Sequence, residues 1–160
     1  MTSQGTVGKA ITDVVAGLEQ GQALDGLGDS LAGAVQKLTR PGAVKNLLSG
    51  TWLGHALHPL LTDLPIGFWT SAVALDALGG DAAGEAAALL VGLGNLSAVG
   101  TAATGLSDWS DSFGPEKRVG LLHGLGNTAG LALMSGSWLA RRNGARGLGR
   151  ALGLAGLGVA

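Results

Sequence analysis

The sequence has 160 residues, enough for one domain, and its composition is that of a membrane protein: 46% hydrophobic residues, 13% charged residues and a mean hydropathy of +0.37. Its net charge of −1 provides no basic surface, which excludes a typical nucleic-acid-binding protein. It has no cysteine, which excludes disulfides, thiolate metal sites and Cys-ligated iron–sulfur clusters.

The first 49 residues predict two amphipathic helices that are too polar to cross a membrane. Asp13 and Glu19 also interrupt the apolar core that a secretory signal requires. In residues 6–18 and 24–38, one helical face carries the apolar residues Val7, Ile11, Val14, Val15 and Leu18, then Leu24, Leu27, Leu31, Val35 and Leu38. Such helices lie at a membrane interface, dock a partner, or pack against the end of their own bundle. We prefer the last interpretation.

Residues 50–160 predict a second unit, an all-α integral membrane bundle of about four transmembrane helices. The first helix should begin near Pro59 or Asp63 and end at Gly79-Gly80. The second, residues 85–106, has about the 20 residues that a bilayer requires. The third follows Gly114-Pro115 and runs to Leu139. The fourth, residues 148–160, extends only about 20 Å, and we interpret it as a truncated span.

Short connections predict antiparallel neighbours, which divides the polar residues between two ends of the bundle. One end, face A, should gather His55, His58, Asp63, Asp108, Asp111, Lys117, Arg118 and His123. The other end, face B, should hold Asp76, Asp81, Glu85 and the arginines after the third helix, with Asp76 and Asp81 as solvated helix-end charges. Six Lys and Arg residues on face A against four on face B favour a cytoplasmic face A.

Two polar stripes run along the second and third predicted helices. They consist of Ser97, Thr101, Thr104 and Asp108, and of His123, Asn127, Gly130 and Met134, each at i, i+4, i+7, i+11. Because a polar stripe turned to lipid would leave polar groups unsatisfied, we expect the two to face each other. The hydroxyl and amide groups would then form hydrogen bonds between the two helices and hold them together.

His58 and His123 are the strongest ligand candidates, because they come from different helices at the same end. Two such imidazoles suit the axial positions of haem b or a quinone-linked redox site. With Asp63 or Asp108 behind them they would also suit a divalent metal such as zinc, or a proton relay. A structural His–carboxylate network is the alternative. The wider candidate site includes His55, Asn127 and Trp69.

The remaining polar and aromatic residues have simpler predicted roles. Arg118 should form an interfacial salt bridge with Asp63 or Asp108. Trp52, Trp109 and Trp138 suit anchoring at the membrane interface, whereas Trp69 lies too far into its helix and should pack in the bundle or line a pocket.

Three elements occur in an order that resembles a known family. They are His58-Pro59 followed by Asp-x-Pro-Ile-Gly from Asp63, Gly-x-x-Asp-Trp from Gly105, and Arg118 followed by His123. From about Leu48 onward the sequence is similar to the bacterial membrane family called domain of unknown function 2231. The resemblance implies a four-helix domain of no established activity. Some relatives carry a C-terminal Rieske iron–sulfur domain or occur with cytochrome modules, which implies a redox setting; this cysteine-free chain has no such domain.

The sequence therefore predicts a multi-pass domain of the bacterial cytoplasmic membrane that anchors a redox partner and exchanges electrons with it. A purely structural anchor and a small ion- or proton-conducting module are the alternatives. No catalytic motif is present, so an enzymatic role is not expected.

Overall fold

The computed structural model describes residues 8–9, 12–13, 16–17 and 21–160, and all regular structure in this part of the chain is helical. The first predicted amphipathic helix, residues 6–18, therefore falls largely outside the described residues. Six α-helices follow residue 24. They are α1 (Asp25–Thr39), α2 (Ala43–Ser49), α3 (Leu57–Leu78), α4 (Gly84–Trp109), α5 (Gly114–Arg142) and α6 (Arg146–Val159).

The four helices α3 to α6 form an antiparallel ring in which each packs on its sequence neighbour and α6 returns to α3. The predicted antiparallel order is confirmed by contacts at both ends. The start of α3 meets the end of α4 where His58 contacts Thr101, and the ends of α3 and α5 meet where Asp76 pairs with Arg141. Buried apolar side chains fill the middle of the ring, namely Trp69, Ala72, Ala87, Val91, Ala98 and Met134.

The helix ends follow the local signals in the sequence. Pro59 occupies the first turn of α3 and Pro115 that of α5, where a missing backbone N–H costs nothing. α3 ends before Gly79-Gly80, as predicted, and Gly80 has the positive φ of 60° that favours glycine. α1 ends at Thr39 because Arg40 precedes Pro41, and the residue before a proline is disfavoured in a helix.

Glycines on one helix receive large side chains from its neighbours. A Cβ atom added at Gly94 would lie 2.4 Å from the Trp69 ring of α3, and one added at Gly92 would lie 2.8 Å from Nε1 of Trp138 in α5. Such distances leave no room for any side chain. Gly92 and Gly94 thus allow close helix packing, as small residues do in membrane bundles.

Face B is held together by a buried ion pair. Both carboxylate oxygens of Asp76 accept hydrogen bonds from Arg141, at 2.8 Å and 2.5 Å, and the two side chains are only 10% and 4% exposed. Nε of Arg150 lies 3.5 Å from the same carboxylate, which brings α6 into the network. The prediction of Asp76 as a solvated charge was wrong, because its position faces α5 across the bundle. Asp81 is 88% exposed, as expected.

α1 lies across face A with its polar side toward the bundle and its leucines outward. Asp25 and Asp29 pair with Arg118 and Lys117 of α5, while Gly28 and Ala32 are buried. Three residues of the predicted apolar stripe are exposed: Leu27, Leu31 and Leu38. α1 thus packs against the end of the bundle, as predicted, but through charged pairs, small residues and the half-buried Leu24 and Val35, not through the whole apolar stripe.

One helical segment among the described residues, Asp81–Trp109, is long and apolar enough to cross a membrane by length and composition. The remaining three ring helices do not meet that criterion. α3 and α5 have sufficient length but are less apolar, and the 14 residues of α6 extend about 21 Å, less than the hydrocarbon thickness of about 30 Å.

Candidate functional site

The clearest polar site lies at face A, where His58 of α3 rests on the backbone of α4. Its Nδ1 is 3.0 Å from the carbonyl oxygen of Thr101, and a Cβ atom added at Gly105 would lie 2.6 Å from the imidazole ring. Gly105 therefore provides the space that the ring occupies. The Gly105-x-x-Asp-Trp element of the sequence thus meets the His58-Pro59 element across the α3–α4 interface.

The contact with Thr101 fixes the protonation of the neutral His58 ring. A backbone carbonyl can only accept, so Nδ1 carries the hydrogen and Nε2 keeps its lone pair. The Thr104 hydroxyl donates to the same carbonyl at 2.8 Å and lies 3.4 Å from Nδ1. His58 is thereby oriented by backbone and hydroxyl oxygens, and no described carboxylate contacts it.

Thr101 also compensates for a proline inside α3. Pro65 has no N–H, so the carbonyl of Leu61, four residues earlier, lacks its usual partner. The Thr101 hydroxyl lies 3.1 Å from that carbonyl and 3.0 Å from the carbonyl of Ser97, and shares its hydrogen between them. The Leu61 carbonyl that Pro65 leaves unpaired and the Thr101 hydroxyl therefore join α3 to α4 beside His58.

His123 lies elsewhere and does not join His58. Its side chain is exposed on α5 and hydrogen-bonds the Asn127 amide one turn later, at 3.0 Å from Nε2. α3 and α5 lie on opposite sides of the helix ring. The His58 ring contacts Thr101 and Gly105 of α4, whereas the His123 ring bonds Asn127 of its own helix. A haem held between His58 and His123 does not fit this arrangement.

The other predicted site residues are also dispersed. His55 is exposed with Nδ1 2.8 Å from the carbonyl of Ala56, and Asp63 is exposed on α3. The carboxylates of Asp63 and Asp108 make no hydrogen bond or ion pair with the described part of the chain. Within those same residues no group of three or more His, Asp or Glu side chains is arranged to hold a metal ion.

Arg118 pairs with Asp25 of α1 instead of Asp63 or Asp108, so the predicted partners were wrong. Its Nε and Nη2 lie 2.6 Å and 2.8 Å from the two oxygens of Asp25. The hydrogen bonds from Arg118 hold the pKa of the Asp25 carboxyl below its ordinary value. Lys45 of α2 adds a further contact to this face, with Asp111 at 2.6 Å.

The two predicted polar stripes do not face each other. Thr101 and Thr104 turn toward α3, where the Thr101 hydroxyl donates to the Leu61 carbonyl and the Thr104 hydroxyl lies 3.4 Å from Nδ1 of His58, and Ser97 bonds the Gly94 carbonyl of its own helix. On α5, Gly130 and Met134 are buried against α6. The expectation failed because the proline in α3 leaves the Leu61 carbonyl as an acceptor for the Thr101 hydroxyl.

Asn95 is a polar residue that the stripe pattern did not single out. Trp69 is buried in the bundle, as predicted, and its Nε1 donates to Oδ1 of Asn95 at 3.1 Å. Asn95 lies near the middle of α4, and a lone amide within an apolar span is the signal that could have identified it.

Comparison with known proteins decides the family. The family described as "Predicted membrane protein (DUF2231)" matches residues 54–160. The chain belongs to this family. Neither the curated proteins nor the solved structures contain a match. The DUF2231 region begins just before α3, so it contains the four-helix ring, the His58 site and the Asp76–Arg141 pair, whereas α1 and α2 precede it.

Proposed function

We propose that this DUF2231 protein is a multi-pass domain of the bacterial cytoplasmic membrane that serves as an anchor, with α3 to α6 crossing or entering the bilayer. The observation that carries the proposal is the distribution of side chains around α4. Thr101, Thr104 and Ser107 are buried at 8%, 2% and 0% exposure, whereas Leu89, Leu96 and Val99 are 62–73% exposed. Polar residues inside and leucines outside are the arrangement that lipid favours and water opposes.

The outward leucines of α1 support the same placement. A helix fastened to the bundle by its polar side, with Leu27, Leu31 and Leu38 exposed, is suited to lie at the membrane interface. Its charged pairs with α5 hold it against face A. The anchor would then comprise a spanning bundle and one interfacial helix.

Cysteine labelling tests this placement, because the natural chain has no cysteine. Trp52→Cys and Asn143→Cys place single thiols on exposed residues at faces A and B, and Leu96→Cys places one at the middle of α4. In sealed vesicles, a membrane-impermeant maleimide should label Trp52→Cys and Asn143→Cys from opposite sides. Leu96→Cys should react only after solubilisation. Labelling of all three from one side, or extraction of the protein by alkaline carbonate, would contradict the proposal.

Electron transfer to a redox partner is a second candidate, and one contact favours it. Metal-ligating histidines commonly donate one ring N–H to a carbonyl, which leaves the other nitrogen free to bind, and His58 has that orientation toward Thr101. His123 provides no second ligand to the same space. A haem or quinone role would therefore rest on His58 with a ligand from outside the described residues.

An absorption spectrum tests the haem proposal directly. The detergent-purified protein, expressed with ample haem, should show a Soret band that sharpens on dithionite reduction and disappears in His58→Ala. His55→Ala is the matched control, because this exposed histidine bonds the carbonyl of the adjacent Ala56 and not a carbonyl of α4. A featureless spectrum from folded protein would exclude haem b and leave the anchor.

A further inference from the structure

A groove of about 440 Å³ lies between α4 and α5, on the side of the bundle away from His58. Its walls include Leu96, Val99 and Leu131, and three polar residues also line it: Asn95, Ser135 and Trp138. The volume is in the range of small-molecule binding sites, which is about 300–1,000 Å³. No charged side chain lines this groove.

The amide group of Asn95 has one fixed orientation. The Trp69 indole N–H can only donate, so the Asn95 atom that it contacts at 3.1 Å must be the oxygen. The Asn95 NH₂ is then the free end. It has no hydrogen-bond partner in the described part of the chain, and it is not among the fully buried unpaired atoms. It is therefore an accessible donor.

Two further polar groups lie at a similar height. Nε1 of Trp138 rests against Gly92, about 12 Å along α4 from Gly84, and Asn95 is one turn further, at about 16 Å. Ser135 is one turn before Trp138 on the antiparallel α5. Neither Nε1 of Trp138 nor the Ser135 hydroxyl has a hydrogen-bond acceptor among the described residues. Three unpaired polar groups thus share one apolar groove.

Such groups are costly at this depth unless something accepts their hydrogens, because hydrocarbon offers no acceptor. The Ser and Thr hydroxyls beside the groove solve this problem within their own helices, as Ser97 does with the Gly94 carbonyl. The NH₂ group of Asn95 and the indole N–H of Trp138 have no such acceptor among the described residues. The acceptor must then come from a molecule in the groove.

We propose that this groove binds the head of a neutral amphiphile that presents hydrogen-bond-accepting carbonyl oxygens to Asn95, Ser135 and Trp138, with its apolar chain along Leu96 and Val99. The donors Asn95, Ser135 and Trp138 require hydrogen-bond acceptors on the head group, and the uncharged residues lining the groove favour a neutral head group. The site rests on the membrane placement proposed above and is independent of the anchor role and of His58. A flat quinone ring and an acylglycerol ester both present such carbonyls.

Binding is measured with the purified protein in lipid nanodiscs. Decylubiquinone is titrated and tryptophan fluorescence is followed, because Trp138 lies in the groove. We expect saturable quenching that becomes about five- to tenfold weaker in Ser135→Ala and in Asn95→Leu, the usual loss for one hydrogen bond. Ser97→Ala is the matched control, since its hydroxyl bonds within α4 and does not line the groove; its affinity should equal that of the natural chain.

Dioctanoylglycerol distinguishes the two sources of the carbonyl. If it displaces decylubiquinone, the site accepts ester carbonyls; if it does not, the site selects the ring, and both results support the proposal. The proposal would be overturned if decylubiquinone quenching rises linearly without saturation and dioctanoylglycerol causes no saturable change in tryptophan fluorescence either. Equal affinity in Ser135→Ala and Ser97→Ala would also overturn it. The proposal would also be overturned if Leu96→Cys forms a disulfide-linked dimer in native membranes and the protein binds no quinone. A second copy of the chain would then cover the groove. Asn95→Leu also removes the Trp69 bond, so Ser135→Ala decides the outcome. Cysteine labelling reports separately on membrane placement.

Discussion

The hydroxyl of Thr101 lies 3.1 Å from the carbonyl oxygen of Leu61, the acceptor that Pro65 leaves without its helical partner. A buried carbonyl without a hydrogen bond is costly in lipid, and this contact removes the cost. It also fixes Thr101, whose own carbonyl orients His58. The acceptor that Pro65 leaves in α3 is thereby satisfied by the face of α4 that carries Thr101.

Thr101→Val should destabilise the protein by about 1–2 kcal/mol, because the Leu61 carbonyl then lacks its interhelical donor. Pro65→Ala restores the backbone N–H, so Thr101→Val should cost less in that background, and the two substitutions should be coupled by about 1 kcal/mol. Denaturant titration of the four proteins in detergent measures the cycle. Additive effects would show that Thr101 contributes only its bond to Ser97.

The Asp76–Arg141 pair should be the most sensitive polar contact in the bundle. Asp76→Ala leaves the Arg141 guanidinium buried without its carboxylate, and we expect a loss of about 3–5 kcal/mol in the free energy of unfolding. Asp81→Ala is the matched control, because this neighbouring aspartate is exposed and should change stability by less than about 0.5 kcal/mol.

A double variant separates charge burial from packing at the same position. Asp76→Leu with Arg141→Met removes both charges, and the pair should recover most of the stability that Asp76→Ala loses. Thermal unfolding in detergent compares the three proteins. A double variant as unstable as Asp76→Ala would contradict a cost due to the buried charge alone. The loss of the Arg141 hydrogen bonds to Ser137 and Gly149 would then outweigh the removal of that charge.

Gly105→Ala should displace the His58 ring, since the added Cβ would lie 2.6 Å from it. We expect loss of the Nδ1 bond to Thr101, visible as a change in the ¹⁵N chemical shifts of the His58 imidazole, and a destabilisation of about 1–3 kcal/mol from overpacking. Gly100→Ala is the control on the same helix, because no atom lies within 4 Å of the added Cβ. It should be neutral or stabilise by about 0.5–1 kcal/mol. Equal changes in stability and in the His58 ¹⁵N chemical shifts for Gly105→Ala and Gly100→Ala would contradict the conclusion that Gly105 specifically makes room for the His58 ring.

The helices and their order were largely predictable from the sequence, because apolar runs, prolines and paired glycines mark their ends. Gly79-Gly80 and Gly114-Pro115 delimit α3 and α5 as expected. The rotation of each helix about its axis was not predictable. It depends on which large side chain enters which glycine position, such as Trp69 at Gly94, and one sequence contains no record of such pairs.

The candidate site was predicted only in its individual residues. His58, Thr101 and Thr104 do meet, but His123 is on the far side of the ring, and Arg118 pairs with α1. Length and charge place residues at a membrane face but do not say which are neighbours there. For Asp76 and Arg141 the signal existed: opposite charges on face B, one within an apolar segment, could have been paired.

The docking of α1 should weaken in acid, because the pKa of Asp25 is lowered by its hydrogen bonds with Arg118. A carboxyl with a lowered pKa in the folded protein binds fewer protons there than in the undocked chain. The contribution of Asp25 to the docking of α1 is therefore fully present above the ordinary carboxyl pKa of about 4 and is lost as the pH falls through the lowered folded pKa.

Pepsin, which is active in this pH range, reports the release of α1 through cleavage near the exposed Leu27 and Leu31. The ratio of cleavage rates between Asp25→Asn and the natural chain removes the pH dependence of the protease itself. We expect Asp25→Asn to be cleaved faster above the ordinary carboxyl pKa of about 4, and the two rates to converge as the pH falls through the lowered folded pKa of Asp25. Asp81→Asn, at the opposite face, should be cleaved like the natural chain throughout. A rate ratio for Asp25→Asn that stays at one across the whole range would show that the Arg118 pair does not hold α1 on face A.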